Sequence, residues 1–189
     1  MAPSNKLLCE LGGKALVRHA AEAALGAGLD PVVAVTGNAA AQVSAALAGL
    51  PLRQVHNADY AQGLASSVRA GVLALGAEVD AAVILLGDMP LVRAPHLLRL
   101  TQAFAARPQG AICVPTFAGQ RGNPVLWSAA HFPRLAALTG DRGARVLLGE
   151  LAVDLLEVPM ADDAVLVDID TDAVLEQVRS RFADGGPAA

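Results

Sequence analysis

Ala81-Ala82-Val83-Ile84-Leu85-Leu86-Gly87-Asp88-Met89-Pro90 is the stretch that decides the fold. Its first six residues are apolar without alternation, the pattern of a central strand buried on both faces. Gly87 permits an unusual backbone or a close approach, and Pro90 stops the strand. Asp88 is thereby delivered to the carboxyl edge of a sheet, where open α/β folds bind ligands. Taken alone it reads equally well as a turn aspartate.

The chain on either side supplies the context. Upstream, Leu16, Val17, Ala20, Ala24 and Leu25 form a helical stripe within residues 14–29, and Gly28 ends it. Residues 31–36 read as a β-branched strand, 39–47 as a helix and 52–56 as a short strand. A polar loop over 57–63 precedes a helix marked by Leu64, Val68, Val72 and Leu75. Downstream, Pro95 takes a favoured first-turn position in another helix. Residues 111–115 and 123–127 look like strands separated by the turn Ala118-Gly119-Gln120-Arg121-Gly122. Short helices, strands at 153–158 and 165–169, and a helix from Thr171 follow. This alternation predicts an α/β fold: three layers, a mostly parallel central sheet and helices on both faces. Residues 1–182 are expected to form a single domain, with 183–189 as a flexible tail.

Composition narrows the function classes. The 189 residues are 54% hydrophobic, but the surplus is mostly alanine. No stretch reaches the roughly 18 uninterrupted apolar residues of a membrane span, and the first residues lack a signal-peptide pattern. A cytoplasmic protein without membrane contact is the expectation. The net charge of −4, the lack of a basic run and the scarcity of aromatics argue against a nucleic-acid platform. A small anionic ligand needs only a few local cations and backbone N–H groups. Cys9 and Cys113 lack metal-ligand spacing, and Cys113 reads as a core residue. His19, His56, His96 and His131 are scattered singly and read as structural or surface residues.

Four polar clusters fall at predicted strand ends or in the loops after them: Asn5-Lys6, residues 57–67, Gly87-Asp88, and Asp168-Ile169-Asp170-Thr171. Magnesium uses one or two carboxylates plus substrate phosphates, so Asp88 and a late aspartate can grip one ion from two strand ends. Asp170-Thr171 also reads as a helix entry with Thr171 as N-cap. Arg121, on a glycine-flanked turn, has the fork geometry for phosphate or carboxylate, and the same turn is readable as a plain hairpin. Gly140-Asp141-Arg142-Gly143-Ala144-Arg145 carries the same two readings.

In this order the clusters resemble the MobA-like nucleotidyltransferases. The matching pieces are Asn5-Lys6-Leu7-Leu8 with Leu11-Gly12-Gly13-Lys14, then Asn57 with Gly63-Leu64 and Ser66-Ser67, and Gly87-Asp88-Met89-Pro90. Gln120-Arg121-Gly122-Asn123-Pro124-Val125-Leu126, Gly140-Asp141-Arg142-Gly143-Ala144-Arg145 and Asp168-Ile169-Asp170-Thr171 complete the series. Within the family these forms look most like the molybdenum cofactor cytidylyltransferases. The resemblance implies a Rossmann-like, GT-A-like nucleotidyltransferase fold and transfer of CMP from CTP to molybdopterin with release of pyrophosphate. It implies Mg²⁺ on Asp88 and Asp170, with Asp168 as fallback, and Lys6 neutralising phosphate charge. Asn5, Lys6, Asn57, Gly63, Ser67 and Gly87 would line the nucleotide; Arg121, Asn123, Asp141 and Arg145 would face the pterin substrate. A client molybdoenzyme is an implied partner. GTP in place of CTP, another acceptor of the same fold such as a sugar phosphate or methylerythritol phosphate, and a non-catalytic molybdenum-cofactor-binding protein are the alternatives. A signalling receiver domain fits less well, because Asp88 abuts Met89-Pro90 and no early acidic pair occurs.

The family opens with a buried strand and a glycine-rich loop that wraps the triphosphate, and Met1-Ala2-Pro3-Ser4-Asn5-Lys6 aligns with the tail of that loop. The expectation is that Met1 is an internal methionine taken as the start. The rival is a short form that has lost triphosphate binding, and in-frame upstream codons distinguish them. Two exposed sheet edges and reduced stability are expected of the chain as written.

Overall fold

The computed structural model describes residues 5–107, 110–141 and 143–183. A short antiparallel ribbon, β1 (Glu10–Leu11) and β2 (Lys14–Ala15), leads into α1 (Leu16–Gly26). The next unit is β3 (Val33–Thr36), α2 (Ala40–Ala46), β4 (Arg53–His56), α3 (Leu64–Leu73) and β5 (Ala81–Ile84). It is followed by α4 (Ala94–Ala106), β6 (Ile112–Phe117), β7 (Gln120–Arg121) and β8 (Val125–Ser128). The chain closes with α5 (Phe132–Ala136), α6 (Arg145–Glu150), β9 (Leu155–Pro159) and α7 (Asp172–Ala183).

The three layers follow from side-chain alternation on the central strands. Ile112 and Val114 of β6 and Val125 and Trp127 of β8 face a cluster built from Ala65, Val68 and Val72 of α3 with Leu135 and Leu147. Their neighbours Cys113 and Leu126 face the opposite way, onto Leu100 of α4, Val158 and Met160. Both faces of these strands are covered, so the residues pointing each way must be apolar. That is the physical origin of the uninterrupted hydrophobic runs. Cys113 is fully buried, as expected of a core residue, and burial alone pushes its thiol up to about 11.

The sheet is more mixed than the alternation suggests. β3 and β4 pair in parallel as one ladder, and β6 pairs in parallel with β9. β8 runs antiparallel to both β5 and β6, because the β6–β7–β8 segment doubles back through a tight turn instead of crossing over a helix. Among the described residues β3 has no ladder partner other than β4, and β5 none other than β8. This corrects one expectation: β5 is half-buried along its length, because one of its backbone edges carries no neighbouring strand.

Two further expectations change. Residues 165–169 are not a strand. Asp162 accepts a hydrogen bond from the Ala164 N–H (3.0 Å) and nucleates a single 3-10 turn, Asp163–Leu166. Ala183 belongs to α7 and not to a tail; residues 184–189 lie outside the described residues. The reading of Thr171 holds, since its Oγ1 accepts from the Val174 N–H at 3.3 Å. No helix among the described residues is long and apolar enough to cross a membrane.

Candidate active site at the carboxyl edge of β5

Asp88 follows β5 by four residues and stands where the β-run gives way to Met89-Pro90. Gly87 suits the close approach there. A Cβ at Gly87 would come within 3.2 Å of Leu7 Cδ2 and 3.5 Å of Val17 Cγ2, so the strand end packs tightly under the chain's first turn. That turn, Lys6–Leu8, is capped by Asn5, whose Oδ1 accepts from the Leu7 N–H at 3.1 Å. The Asn5 Nδ2 donates to the Asn38 carbonyl at 3.1 Å, just past β3. Residues 5–8 are thereby stretched between the carboxyl ends of β3 and β5.

The result is a compact charge cluster. Lys6 Nζ lies 2.7 Å from Asp88 Oδ2 and 2.5 Å from Asp170 Oδ1. Asp170 is brought there by the backbone: the Ile169 N–H donates to the Asp88 carbonyl at 2.9 Å. Ile169 is buried in the cluster of Leu11, Leu16, Leu91 and Leu175, and Asp168 and Asp170 on either side of it stay exposed. Asp88 Oδ1 is buried and has no hydrogen-bond partner.

The charges tune one another. Burial pulls the Lys6 ammonium down, but its hydrogen bonds to Asp170 and Asp88 outweigh that and hold its pKa above the ordinary lysine value. The bond from Lys6, helped by Asp168, holds Asp170 below the usual carboxylate range. Burial first, then the hydrogen bond and charge of Asp170, push Asp168 upward. Asp170 is therefore the late aspartate that contacts Lys6, and its carboxyl is held lower than that of Asp168.

A second cluster gathers at the start of α3. Asn57 is buried (6% exposed) and its amide donates to Ser66 Oγ at 2.8 Å and Ser67 Oγ at 3.1 Å. Its Oδ1 accepts from the Asp59 N–H at 3.0 Å, and its own N–H donates to Thr36 O at 2.7 Å. The side chain thus shapes the loop and leaves little capacity for a ligand. Gly63 has φ 103°, and a Cβ there would overlap Asp141 Oδ1 and come within 2.8 Å of the Gly140 backbone. The Ala65 N–H donates to Gly140 O at 3.1 Å. Asp141 therefore sits against Gly63, in the loop that Asn57 shapes, whereas the sequence grouping set it with Arg121.

Arg121 and Asn123 are placed elsewhere. Arg121 Nε donates to Glu157 Oε1 at 2.7 Å across an exposed pair on β7 and β9. The Asn123 N–H donates to Val165 O at 2.9 Å, and a Cβ at Gly122 would overlap that same carbonyl. The loop is thus welded to the turn that leads into Asp168 and Asp170. Arg145 is exposed on the first turn of α6 and has no ion pair among the described residues; Arg142 lies outside the described residues.

Sequence reasoning missed Asn38 and Glu157, and it read His96 as structural or surface without naming its partners. Asn38 anchors through its carbonyl, which carries no sequence signal. Glu157 pairs with Arg121 from 36 residues away. His96 accepts the Arg93 N–H on Nδ1 at 3.0 Å and donates from Nε2 to Asp162 Oδ1 at 3.1 Å, so it tethers α4 to the late acidic segment. Its position three residues after the N-cap of a proline-initiated helix was the available cue.

Comparison with known proteins adds the following. The MobA-like NTP transferase domain matches residues 1–155. Nicotine blue oxidoreductase of Paenarthrobacter nicotinovorans is 34% identical over 177 residues, which is 88% of this chain and 83% of that protein. The purine catabolism protein PucB of Bacillus subtilis (strain 168) is 35% identical over 126 residues, 64% of this chain and 58% of PucB. The chain also spans 21% of the bifunctional protein GlmU of Anaeromyxobacter sp. (strain Fw109-5) at 42% identity, so these last two are matched over less than two thirds of their length. Among solved structures, a nucleotidyl transferase from Methanothermobacter thermautotroptrophicus superposes with TM-score 0.82 at 26% identity, covering 96% of this chain and 87% of that one. Rv0371c of Mycobacterium tuberculosis H37Rv in complex with manganese gives TM-score 0.78 at 26% identity, covering 95% and 94%.

Proposed function

We propose that this chain, which belongs to the MobA-like NTP transferase domain family, transfers CMP from CTP to molybdopterin and releases pyrophosphate. The carrying observation is that Lys6, Asp88 and Asp170, remote in sequence, converge on one point at the carboxyl edge of the sheet.

In this reading an oxygen of the acceptor's terminal phosphate forms the new bond to the α-phosphorus of CTP. The bond from that phosphorus to the bridging oxygen breaks, and the electron pair leaves with pyrophosphate. The attacking phosphate is already anionic, so no protein nucleophile or base is required; positioning and charge neutralisation carry the rate.

A divalent ion fits the residues present. Asp88 Oδ2 and Asp170 Oδ1 already share one cation position, and the buried Asp88 Oδ1 lacks any donor. No group of three or more His, Cys, Asp or Glu side chains suited to a metal occurs among the described residues, so the substrate would complete the shell. That is the pattern of magnesium, held by one or two carboxylates plus phosphate oxygens and water. Bound there, Mg²⁺ would offset charge developing on the phosphates. The manganese complex of Rv0371c supports a divalent ion as a ligand of this fold. Asp88 and Asp170 hold the ion, Lys6 meets phosphate oxygens, and the Asn57–Gly63–Asp141 cluster shapes the nucleotide side. Arg145, and Arg121 on leaving Glu157, are the cations offered to the acceptor, whose product would pass to a client molybdoenzyme.

The test is magnesium-dependent pyrophosphate release from CTP and GTP, with molybdopterin as acceptor and sugar phosphates as controls. Release with CTP and molybdopterin is expected. Release with a different nucleotide or acceptor would move the assignment within the family, and no metal-dependent release with any pair would remove it. The relative named nicotine blue oxidoreductase favours a second reading, a redox reaction on the same fold. Redox turnover of nicotine blue without pyrophosphate release would favour that one.

A further inference from the structure

We infer that Lys6 is the internal counter-cation of this site, and that it leaves Asp88 and Asp170 when the metal–triphosphate complex arrives, exchanging carboxylate partners for phosphate oxygens. The inference rests on the divalent-ion reading of Asp88 and Asp170 given above.

The geometry makes the two cations mutually exclusive. Lys6 Nζ sits 2.7 Å from Asp88 Oδ2 and 2.5 Å from Asp170 Oδ1. A magnesium ion bound to those oxygens would lie about 2.0–2.1 Å from each, in the space the ammonium fills. A divalent ion cannot take those two oxygens while Nζ lies between them, and an ammonium cannot stay at contact distance from it.

The lysine is built to move, and its backbone is built to stay. Its side chain is 44% exposed, on a stem of four rotatable carbons. Its backbone is fixed by the Asn5 cap on Leu7 and by the Asn5 bond to Asn38. Rotation of the stem therefore swings the ammonium through a short arc without disturbing the strand ends. The formal charge count agrees: with Lys6 withdrawn, the two carboxylates it had bridged, Asp88 and Asp170, present two negative charges, which one divalent ion matches. The released ammonium is then a cation at hand for the incoming phosphates.

Bare metal must displace the lysine unaided, whereas metal carried on a triphosphate offers the ammonium a new partner. Metal and nucleotide should consequently bind with mutual reinforcement. Removing the ammonium should strengthen metal binding while weakening nucleotide binding. A merely structural Lys6 would not produce these opposite signs.

The experiment is Mn²⁺ binding to the full chain without nucleotide, read as loss of the free-ion electron paramagnetic resonance signal. It compares wild type, Lys6→Met and Asp88→Asn, with thermal melts confirming that each is folded. Lys6→Met should bind Mn²⁺ at least about tenfold more tightly than wild type, the effect of removing one adjacent like charge. Its affinity for CTP in the presence of Mn²⁺ should fall. Equal or weaker Mn²⁺ binding by folded Lys6→Met, with binding lost in Asp88→Asn, would overturn the exchange and leave the metal site standing. Unchanged Mn²⁺ binding in Asp88→Asn would overturn the metal reading and the exchange with it.

Discussion

The Ile169 N–H is hydrogen-bonded to the Asp88 carbonyl at 2.9 Å, and this single backbone contact sets the register of the whole charge cluster. With Ile169 turned into the core, Asp168 and Asp170 must both project outward, and Asp170 reaches the same ammonium as Asp88. Five consequences can be measured.

Asp88→Asn keeps the shape of the side chain and removes its charge. Turnover should fall at least about a hundredfold, the scale for losing a group that positions transition-state charge. The melting temperature should hold, since among the described residues Lys6, itself 44% exposed, is its only ion-pair partner. Steady-state pyrophosphate release and a thermal melt check both, and near-normal turnover would remove Asp88 from the site.

Asp170→Asn should cost more turnover than Asp168→Asn. Asp170 contacts Lys6, which holds its carboxyl below the usual range, whereas burial and the neighbouring Asp170 push Asp168 upward. Comparing the two variants at neutral pH decides the order, and a larger loss in Asp168→Asn would reverse the assignment.

Gly63→Ala should destabilise the fold by about 1–3 kcal/mol, the usual cost of a strained backbone. Residue 63 has φ 103°, and the new methyl would meet Asp141 and the Gly140 backbone. Urea denaturation measures the loss. Gly63→Ala combined with Asp141→Ala should recover only part of it, because the Gly140 contact and the φ remain.

Stability should fall as pH drops below about 4, partly through Asp162. Burial alone would raise its pKa, but the Ala164 N–H, His96 and Arg93 bring it below the ordinary 3.8. A carboxylate depressed in the folded state contributes stability above its unfolded pKa and loses it as pH falls through the folded one. Asp162→Asn should flatten that acid limb in pH-dependent melts. His96→Ala, which also deprives the Arg93 N–H of its acceptor, should cost about 1–3 kcal/mol at neutral pH.

Arg121→Ala should leave stability within about 1 kcal/mol, because its partner Glu157 is exposed and such pairs contribute little. Its expected effect is a roughly tenfold rise in KM for the acceptor, the scale of one charge-assisted hydrogen bond. An unchanged KM would leave Arg121 as a surface ion pair.

Much of this was legible in the chain itself. The 81–90 run announces a covered strand ending in a carboxylate, Pro95 opens α4, and Thr171 caps α7 as its residue type suggests. The 165–169 stretch misled, because five residues of β-like composition are outweighed by one Asp162 side chain that nucleates a turn. Burial of β5 was overestimated for a related reason. Composition reports what a strand can face, not whether both of its edges have neighbours.

The sequence by itself determined the element types, the apolar layers and the residue chemistry available at the strand ends. Those follow from local periodicity and from steric rules that act over a few residues. Only the tertiary structure decided which of those residues meet. Lys6 finds Asp170 across 164 positions, Asp141 joins Gly63, and Glu157 takes Arg121. Such pairings depend on the order of strands in the sheet and on where the loops at its carboxyl edge come to rest. No local pattern encodes that arrangement, because it emerges from packing the layers together.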